Sequence, residues 1–548
     1  MSNNGIGSVI LIGTLLQINV ALANPAALMY RSAGIKQSKQ PAPTLSSNKT
    51  RGPEQPVLGA NLHGPVDWSS AWTFVDAFKL SRVWIPQQEG KSWGQGEPIA
   101  VDANGWVTSL KPGQFAETVM FTGGKHYPVG MYTLLYDGEG KITFREGGSL
   151  KVVSQTPGRM RVDVRSHDDG VFLQIRETNP ANPVRNIRFI MPGFENTYQQ
   201  QPFHPLFLER IAKFKVLRFM DWGATNHSTV KEWSDRTTLN SARQTENGIA
   251  LEYMIQLANT LKIDPWFTLP HQASDDYVRK FATMVRDRLD PSLKPYVEYS
   301  NEVWNWSFKQ THYAAEKGTE LGLRDAGDGD GGKAMLRYYA QRSVEIFKIW
   351  REVFGGTERI VEVLGIQGGN TWAGEQVLTW NNAYQYADTY SIASYFSGYG
   401  SKSGLVEPQN VDKVLQMTPE QILDKMQMDI EHDRKGWIET RDLARRYGLT
   451  LTAYEGGVHL LSWNMPADKE PRVTELFKAV NRHPRMRELY RQYLNQWKEI
   501  GGGVLNQFTD VGGYSKYGFW GALEYQNQDI SEAPKYQALM EYIEQNHP

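Results

Sequence analysis

Two glutamates stand where acid–base chemistry could be organised. Glu302 closes the run Tyr296-Val297-Glu298-Tyr299-Ser300-Asn301-Glu302, and Glu455 closes Leu451-Thr452-Ala453-Tyr454-Glu455. Each follows a short apolar, β-branched and aromatic stretch that reads as a buried strand. With one carboxyl protonated and the other ionised, such a pair can act on the two faces of one sugar ring. The acid releases the leaving oxygen while the carboxylate attacks the anomeric carbon of an oxocarbenium-like transition state, which is the chemistry of glycoside hydrolysis. An acidic residue after a strand is, taken alone, more often a solvated loop charge or a helix-cap partner. The pair gains meaning only if the fold brings its members together.

The elements that would do so are legible as alternation. From Pro56 onward, short apolar runs alternate with amphipathic helical patterns, as in a parallel sheet wrapped by helices. The runs are 58–62, 216–220, 265–269, 295–300, 360–366, 389–394, 449–454 and 503–508. Helical stretches include Trp72 to Ser81, Pro205 to Phe214, Leu251 to Leu261 and a closing Lys535 to Glu544. Eight strand-then-helix units predict an α/β fold, a (β/α)8 TIM barrel with its chemistry at the C-terminal ends of the strands; an open doubly wound sheet is the competing topology. Between units one and two the character changes. Val107 to Leu110, Tyr132 to Tyr136, Lys141 to Phe144, Leu150 to Val153, Met160 to Val164, Val171 to Ile175 and Ile187 to Ile190 are short β runs, separated by turn pairs such as Asp137-Gly138 and Asp169-Gly170. They predict an antiparallel β-sandwich inserted at 98–192, with the barrel formed by 56–97 and 193–548.

Ile6 to Ala23 reads IGSVILIGTLLQINVALA and ends in the small-x-small triplet Ala21-Leu22-Ala23. That pattern predicts a secretory signal peptide over 1–23, although the preceding MSNN lacks the usual Lys or Arg. Residues 24–55, rich in Ser, Pro, Gln and Asn, read as a flexible lead-in. The expected location is secreted or periplasmic, and no other stretch approaches the roughly 20 apolar residues of a membrane span. With 59 basic against 60 acidic side chains among 548 residues, the chain lacks the positive field of a nucleic-acid or anionic-membrane binder. The absence of Cys excludes disulfides, thiolate zinc sites, iron–sulfur ligation and a Cys nucleophile. Seventeen Trp suit either the apolar faces of sugars or a large core. Asp325 to Gly332 (DAGDGDGG) lacks the twelfth-position ligand of an EF-hand, and neither a His-Glu-x-x-His helix, a nucleotide loop nor a Gly-x-Ser-x-Gly elbow occurs. No metal or cofactor is therefore expected, and the expected partner is a polysaccharide or oligosaccharide.

The Glu-x-x-Asn-Glu of Glu298 to Glu302 at strand four, the Tyr454-Glu455-Gly456 at strand seven and the eightfold count together give the chain a family likeness. It resembles the clan A glycoside hydrolases, the (β/α)8 group of retaining β-glycosidases and β-glycanases that includes many cellulases and mannanases. The resemblance extends from Pro56 to the C-terminus, the β insertion excepted. It implies a double displacement with Glu302 as general acid/base and Glu455 as nucleophile, the carboxyls about 5 to 5.5 Å apart. It also implies that Asn301 holds the sugar 2-hydroxyl, and that Arg218, ending strand two, bonds the nucleophile and keeps it ionised. His271 after strand three would touch the −1 sugar, Tyr395 closing strand six would stand near the nucleophile, and Trp520 after strand eight would floor the −1 site. Trp304 is a further groove candidate, while Trp68, Trp222, Trp306, Trp372 and Trp463 also lie on or near strand-end loops. Glu298 shares the parity of Glu302 and should point into the barrel, where a structural ion pair is its expected role. Val303-Trp304-Asn305 departs from the clan in lacking the Pro that many members carry after the acid/base. The rival readings are a non-catalytic carbohydrate-binding protein on the same barrel and a barrel enzyme of metal-dependent isomerase or lyase chemistry.

Overall fold

The computed structural model describes residues 56–145, 149–166 and 170–546, so the expected signal peptide and lead-in lie outside the described residues. Eight parallel strands pair in chain order and the last returns to the first, closing a barrel. They are Leu58–Asn61, Val216–Arg218, Asp264–Leu269, Tyr296–Tyr299, Val361–Ile366, Thr389–Phe396, Thr450–Val458 and Leu505–Phe508, hereafter barrel strands one to eight. Nearly every residue in them is buried, because helices cover one face and the barrel interior fills the other. Val216, Trp266, Tyr296, Val363, Tyr454 and Val504 pack together inside the barrel, while a much larger cluster lies between strands and helices.

The outer helices begin and end on local signals. Asp275–Arg288 is capped by the Ser274 side chain, which accepts from the Tyr277 N–H; acidic Asp275 and Asp276 open the helix and basic Arg286 and Arg288 close it. Pro419–Arg446 starts with a reciprocal capping box between Thr418 and Gln421. Leu251–Leu261 forms as its spacing predicts, and the closing helix runs Pro534–Asn546.

One expected helix is absent. The segment 72–81 holds isolated bridges, Phe74 with Phe203 and Asp76 with Ile190, and only a short 3-10 turn at Ala77–Leu80. Asp76 is the cause: its carboxylate accepts the backbone N–H groups of both Phe78 and Phe189, pinning the segment across the start of the extra sheets. The helix between strands one and two is Pro205–Ile211 instead. The antiparallel region therefore grows out of the loop after strand one, inside unit one, rather than between complete units one and two.

That region forms two four-stranded antiparallel sheets and a two-stranded ribbon. Every run expected there is found, but Ile85–Gln88, Ala100–Val101 and Gln114–Met120 were not foreseen, and the first begins before residue 98. Leu134 and Val162 of one sheet and Ile142, Leu173 and Ile175 of the other belong to one apolar cluster. Two of the missed strands, Ile85–Gln88 and Gln114–Met120, carry a buried polar network, which breaks the alternation that marks a strand. Glu117 accepts from Gln87, Trp93, Gln174 and Arg145.

Candidate active site

Arg218, the last residue of strand two, organises the C-terminal mouth of the barrel. Fully buried, it directs Nε and Nη2 to Glu298 Oε2 (3.1 and 2.9 Å), Nη1 to Asn61 Oδ1 (3.1 Å) and Glu455 Oε1 (2.9 Å), and Nη2 also to Asn301 Oδ1 (2.8 Å). All five guanidinium N–H groups are thereby committed. Glu298 forms the inward ion pair its parity implies and accepts in addition from Trp266 Nε1 at 2.8 Å. Gly365 on strand five leaves room for it, since a Cβ there would lie 3.1 Å from Glu298 Oε1.

Glu455 does not end strand seven, which continues to Val458, and its placement depends on a bulge. The pairing with strand six steps from Ala453 to Glu455, and that with strand eight from Ala453 to Gly456. The extra residue lets Tyr454 and Glu455, consecutive in the chain, both face the barrel interior. Tyr454 packs among the interior rings and donates its hydroxyl to Glu302 Oε1 at 3.2 Å. Glu455 holds Arg218 on Oε1 and accepts the Tyr395 hydroxyl on Oε2 at 3.0 Å. After strand four, Ser300 (φ 58°) and Glu302 (φ 42°) adopt left-handed backbone, a strain on the order of 1 kcal/mol or more per residue. The turn sends Glu302 back over the mouth, where Asn305 Nδ2 donates to its Oε2 at 2.9 Å.

The two glutamates thus sit in one buried site with different company. Burial raises both above the ordinary carboxyl value, and Glu302, pushed up further by the charge of Glu455, reaches about 8. At Glu455 the Arg218 cation and the Tyr395 hydroxyl oppose that rise, whereas Glu302 is hydrogen-bonded only by the neutral Asn305 and Tyr454 and feels Arg218 least of the groups opposing its rise. Of a single proton shared near neutral pH, Glu302 is the holder.

The other expected residues divide. Asn301 joins the Arg218 network and donates to Asn226 Oδ1 at 3.1 Å. Tyr395 contacts Glu455 directly, and its ring lies 4.5 Å from His459, whose Nδ1 accepts the Trp520 indole N–H at 3.3 Å. Trp520 and Phe508 extend this aromatic wall, 5.5 Å apart. His271 hydrogen-bonds neither glutamate: its ring packs edge-on to Tyr313, its Nδ1 is buried without a partner, and burial lowers its pKa to about 4. Trp304 is half-buried against the barrel core, its indole N–H without a partner. Trp222 is wholly in the core, while Trp68 and Trp372 are exposed.

Sequence reasoning missed Asn61, Asn226, Asn305, Gln310, His459 and the role of Tyr454. Gln310 donates to both Asn226 Oδ1 and the Asn301 carbonyl, locking the strand-four turn. It lies on a helix whose spacing gives no hint of this. Asn61 alone carried a signal, as a polar residue ending an otherwise apolar strand. Two acids were also overlooked: Asp221 after strand two and Asp510 after strand eight, each raised by burial to about 7. Among the described residues, no group of three or more His, Cys, Asp or Glu is placed to hold a metal ion, and no helix is long and apolar enough to cross a membrane.

No protein-family model matches the chain, and no curated protein matches it. Among solved structures, a 4-O-α-L-rhamnosyl-β-D-glucuronidase from Fusarium oxysporum aligns at 12% identity over 64% of this chain and 66% of its own, with a TM-score of 0.38. An N-terminal endo-1,4-β-D-xylanase 10B from Clostridium thermocellum aligns at 9% identity over 88% and 98%, with a TM-score of 0.36. An endo-β-1,4-mannanase from Thermotoga petrophila aligns at 15% identity over 62% and 72%, with a TM-score of 0.34. At this distance the likenesses leave function to the geometry of the site itself.

Proposed function

We propose that the protein is an exported, retaining β-glycoside hydrolase of the clan A kind, acting on a β-linked polysaccharide or oligosaccharide. The observation that carries this is the pair Glu302 and Glu455: two carboxyls in one buried site, one beside a fully committed arginine and the other beside neutral donors only. Glu302 gives its proton to the glycosidic oxygen as the bond from that oxygen to the anomeric carbon breaks, and Glu455 Oε2 or Oε1 closes on the same carbon to form a glycosyl ester. Burial and the charge of Glu455 together hold the proton on Glu302, and esterification removes the second of these. Glu302 then serves as base, taking a proton from water as the water attacks the anomeric carbon and Glu455 leaves as carboxylate. Asn301 and Arg218 act by positioning, the Tyr395–His459–Trp520 wall lines the sugar site, and His271 and Trp304 take outlying contacts. We read the two antiparallel sheets as one inserted β-sandwich that borders the mouth.

The test is covalent trapping with activated 2-deoxy-2-fluoro-β-glycosides followed by peptide mass spectrometry. A label on Glu455, and loss of turnover in Glu302→Gln, are the expected results. Unchanged turnover in Glu302→Gln would overturn the acid/base role of Glu302, and sugar binding with neither turnover nor label on any glycoside would return the carbohydrate-binding alternative to first place.

A further inference from the structure

Around the barrel mouth the closed order runs from strand seven through eight and one to two, and this arc holds two carboxyls that the acid–base chemistry does not use. Asp221, three residues past Arg218, is half-buried, and among the described residues its carboxyl makes no hydrogen bond. It stands against Gly64, where a Cβ would lie 3.9 Å from its Cγ, and the charges acting on it are those of Glu455, Arg218 and Asp510. Asp510 is 4% exposed; its Oδ1 accepts the backbone N–H of His63 at 2.8 Å, but its Oδ2 is buried with no partner. A buried oxygen left in that state is destabilising unless something else brings it a donor.

The backbone N–H groups of Val511 and of Asp510 itself act on this carboxyl, but among the described residues no side chain donates to it. The His63 backbone N–H is already on Oδ1, and His63 Nδ1 faces the Gly64 carbonyl at 3.1 Å. Arg218 has no N–H left to give. A leaving group departs on the side of the acid Glu302, beyond strand four, so the retained ring projects into the opposite arc, where Asp221 and Asp510 stand.

Resting on the glycoside-hydrolase reading above, we propose that Asp221 and Asp510 are specificity-determining residues that accept hydrogen bonds from two hydroxyls of the sugar held against Glu455, so that the site takes a neutral glycone and rejects a uronic acid. A sugar hydroxyl supplies the donor that no side chain among the described residues gives either acid. A uronate carboxylate supplies only acceptors and adds a further negative charge to a group of acids whose one bonded cation is fully engaged.

The experiment uses the full chain and a panel of 2,4-dinitrophenyl 2-deoxy-2-fluoro-β-glycosides of glucose, galactose, mannose, xylose and glucuronic acid, with labelling of Glu455 read by mass spectrometry. At least one neutral sugar should label at least 10-fold faster than the glucuronide. Asp221→Asn and Asp510→Asn should each slow that labelling 10-fold or more while narrowing the preference over the glucuronide. Because the Asp221 carboxyl makes no hydrogen bond among the described residues, Asp221→Asn should leave the melting temperature unchanged, which separates recognition from structure even if Asp510→Asn misfolds. Faster labelling by the glucuronide, or wild-type rates and preference in the Asp221 variant, would overturn the inference while leaving Glu455 as nucleophile intact. Labelling of Glu455 by no sugar would overturn both.

Discussion

Glu117, in the two-sheet region, and Glu455, in the barrel, are equally withdrawn from water, at 1% and 2% exposure, and each is salt-bridged to an arginine. Their surroundings nevertheless set them to different work. Glu117 has one cation of its own, Arg145, whose side chain is 39% exposed, and three neutral donors complete its shell. Glu455 shares Arg218 with Glu298 and lies within the electrostatic reach of Glu302, so that three acids draw on one buried cation. Matched charge gives a structural anchor; unmatched charge leaves a proton whose position can change. Burial is common to both, and the ratio of acids to cations is what separates them.

The comparison can be broken most decisively at Glu455. Glu455→Ala should lower kcat on activated aryl β-glycosides by about 10^4-fold or more, with azide restoring part of it, whereas Glu117→Gln should leave kcat within about twofold. Loss of turnover in the Glu117 variant at full stability would erase the distinction. Arg218→Met comes next. It strands three acids without their cation and should destabilise the fold by about 3–5 kcal/mol, read by denaturant titration, together with a loss of activity at neutral pH. The Glu117→Gln variant should lose less, about 1–3 kcal/mol, because its cation can turn to water.

Smallest and most specific is the effect of pH. Turnover should fall as pH rises through about 8, where Glu302 gives up its proton. The folded chain keeps that proton between the ordinary value of 4.5 and about 8, while the unfolded chain has released it. The unfolded state therefore binds fewer protons in this window, and stability declines with rising pH there. Glu302→Gln should flatten that decline and Glu117→Gln should not. A slope equally steep in the Glu302 variant would place the proton elsewhere.

Much of the barrel was open to reading because its signals are local and repeated. Short apolar runs, caps such as Ser274 and turn pairs such as Asp137-Gly138 report on their own neighbourhoods. Where a buried polar residue interrupts the pattern, reading failed: Gln114–Met120 carries Glu117 inward, and Asp76 converts an expected helix into a pinned strap. In the site, Glu302 and Glu455 stand out by type and strand position, Asn301, Arg218 and Tyr395 by the resemblance to the clan, and these five do meet. His271 follows its strand as expected, yet its contacts turn away toward Tyr313.

The order of strands, and the two acids that end up near one another, were specified by the chain alone, since hydrophobic period and strand count need only near neighbours. Which acid keeps the proton was decided in three dimensions. That outcome depends on a bulge that turns Tyr454 and Glu455 the same way, on a left-handed turn at Glu302 and on an arginine whose five N–H groups reach residues from strands one, four and seven and the turn after strand four. Electrostatic free energy depends on distances through space and on how many charges share one partner, and neither quantity is written in the spacing of residues along a chain.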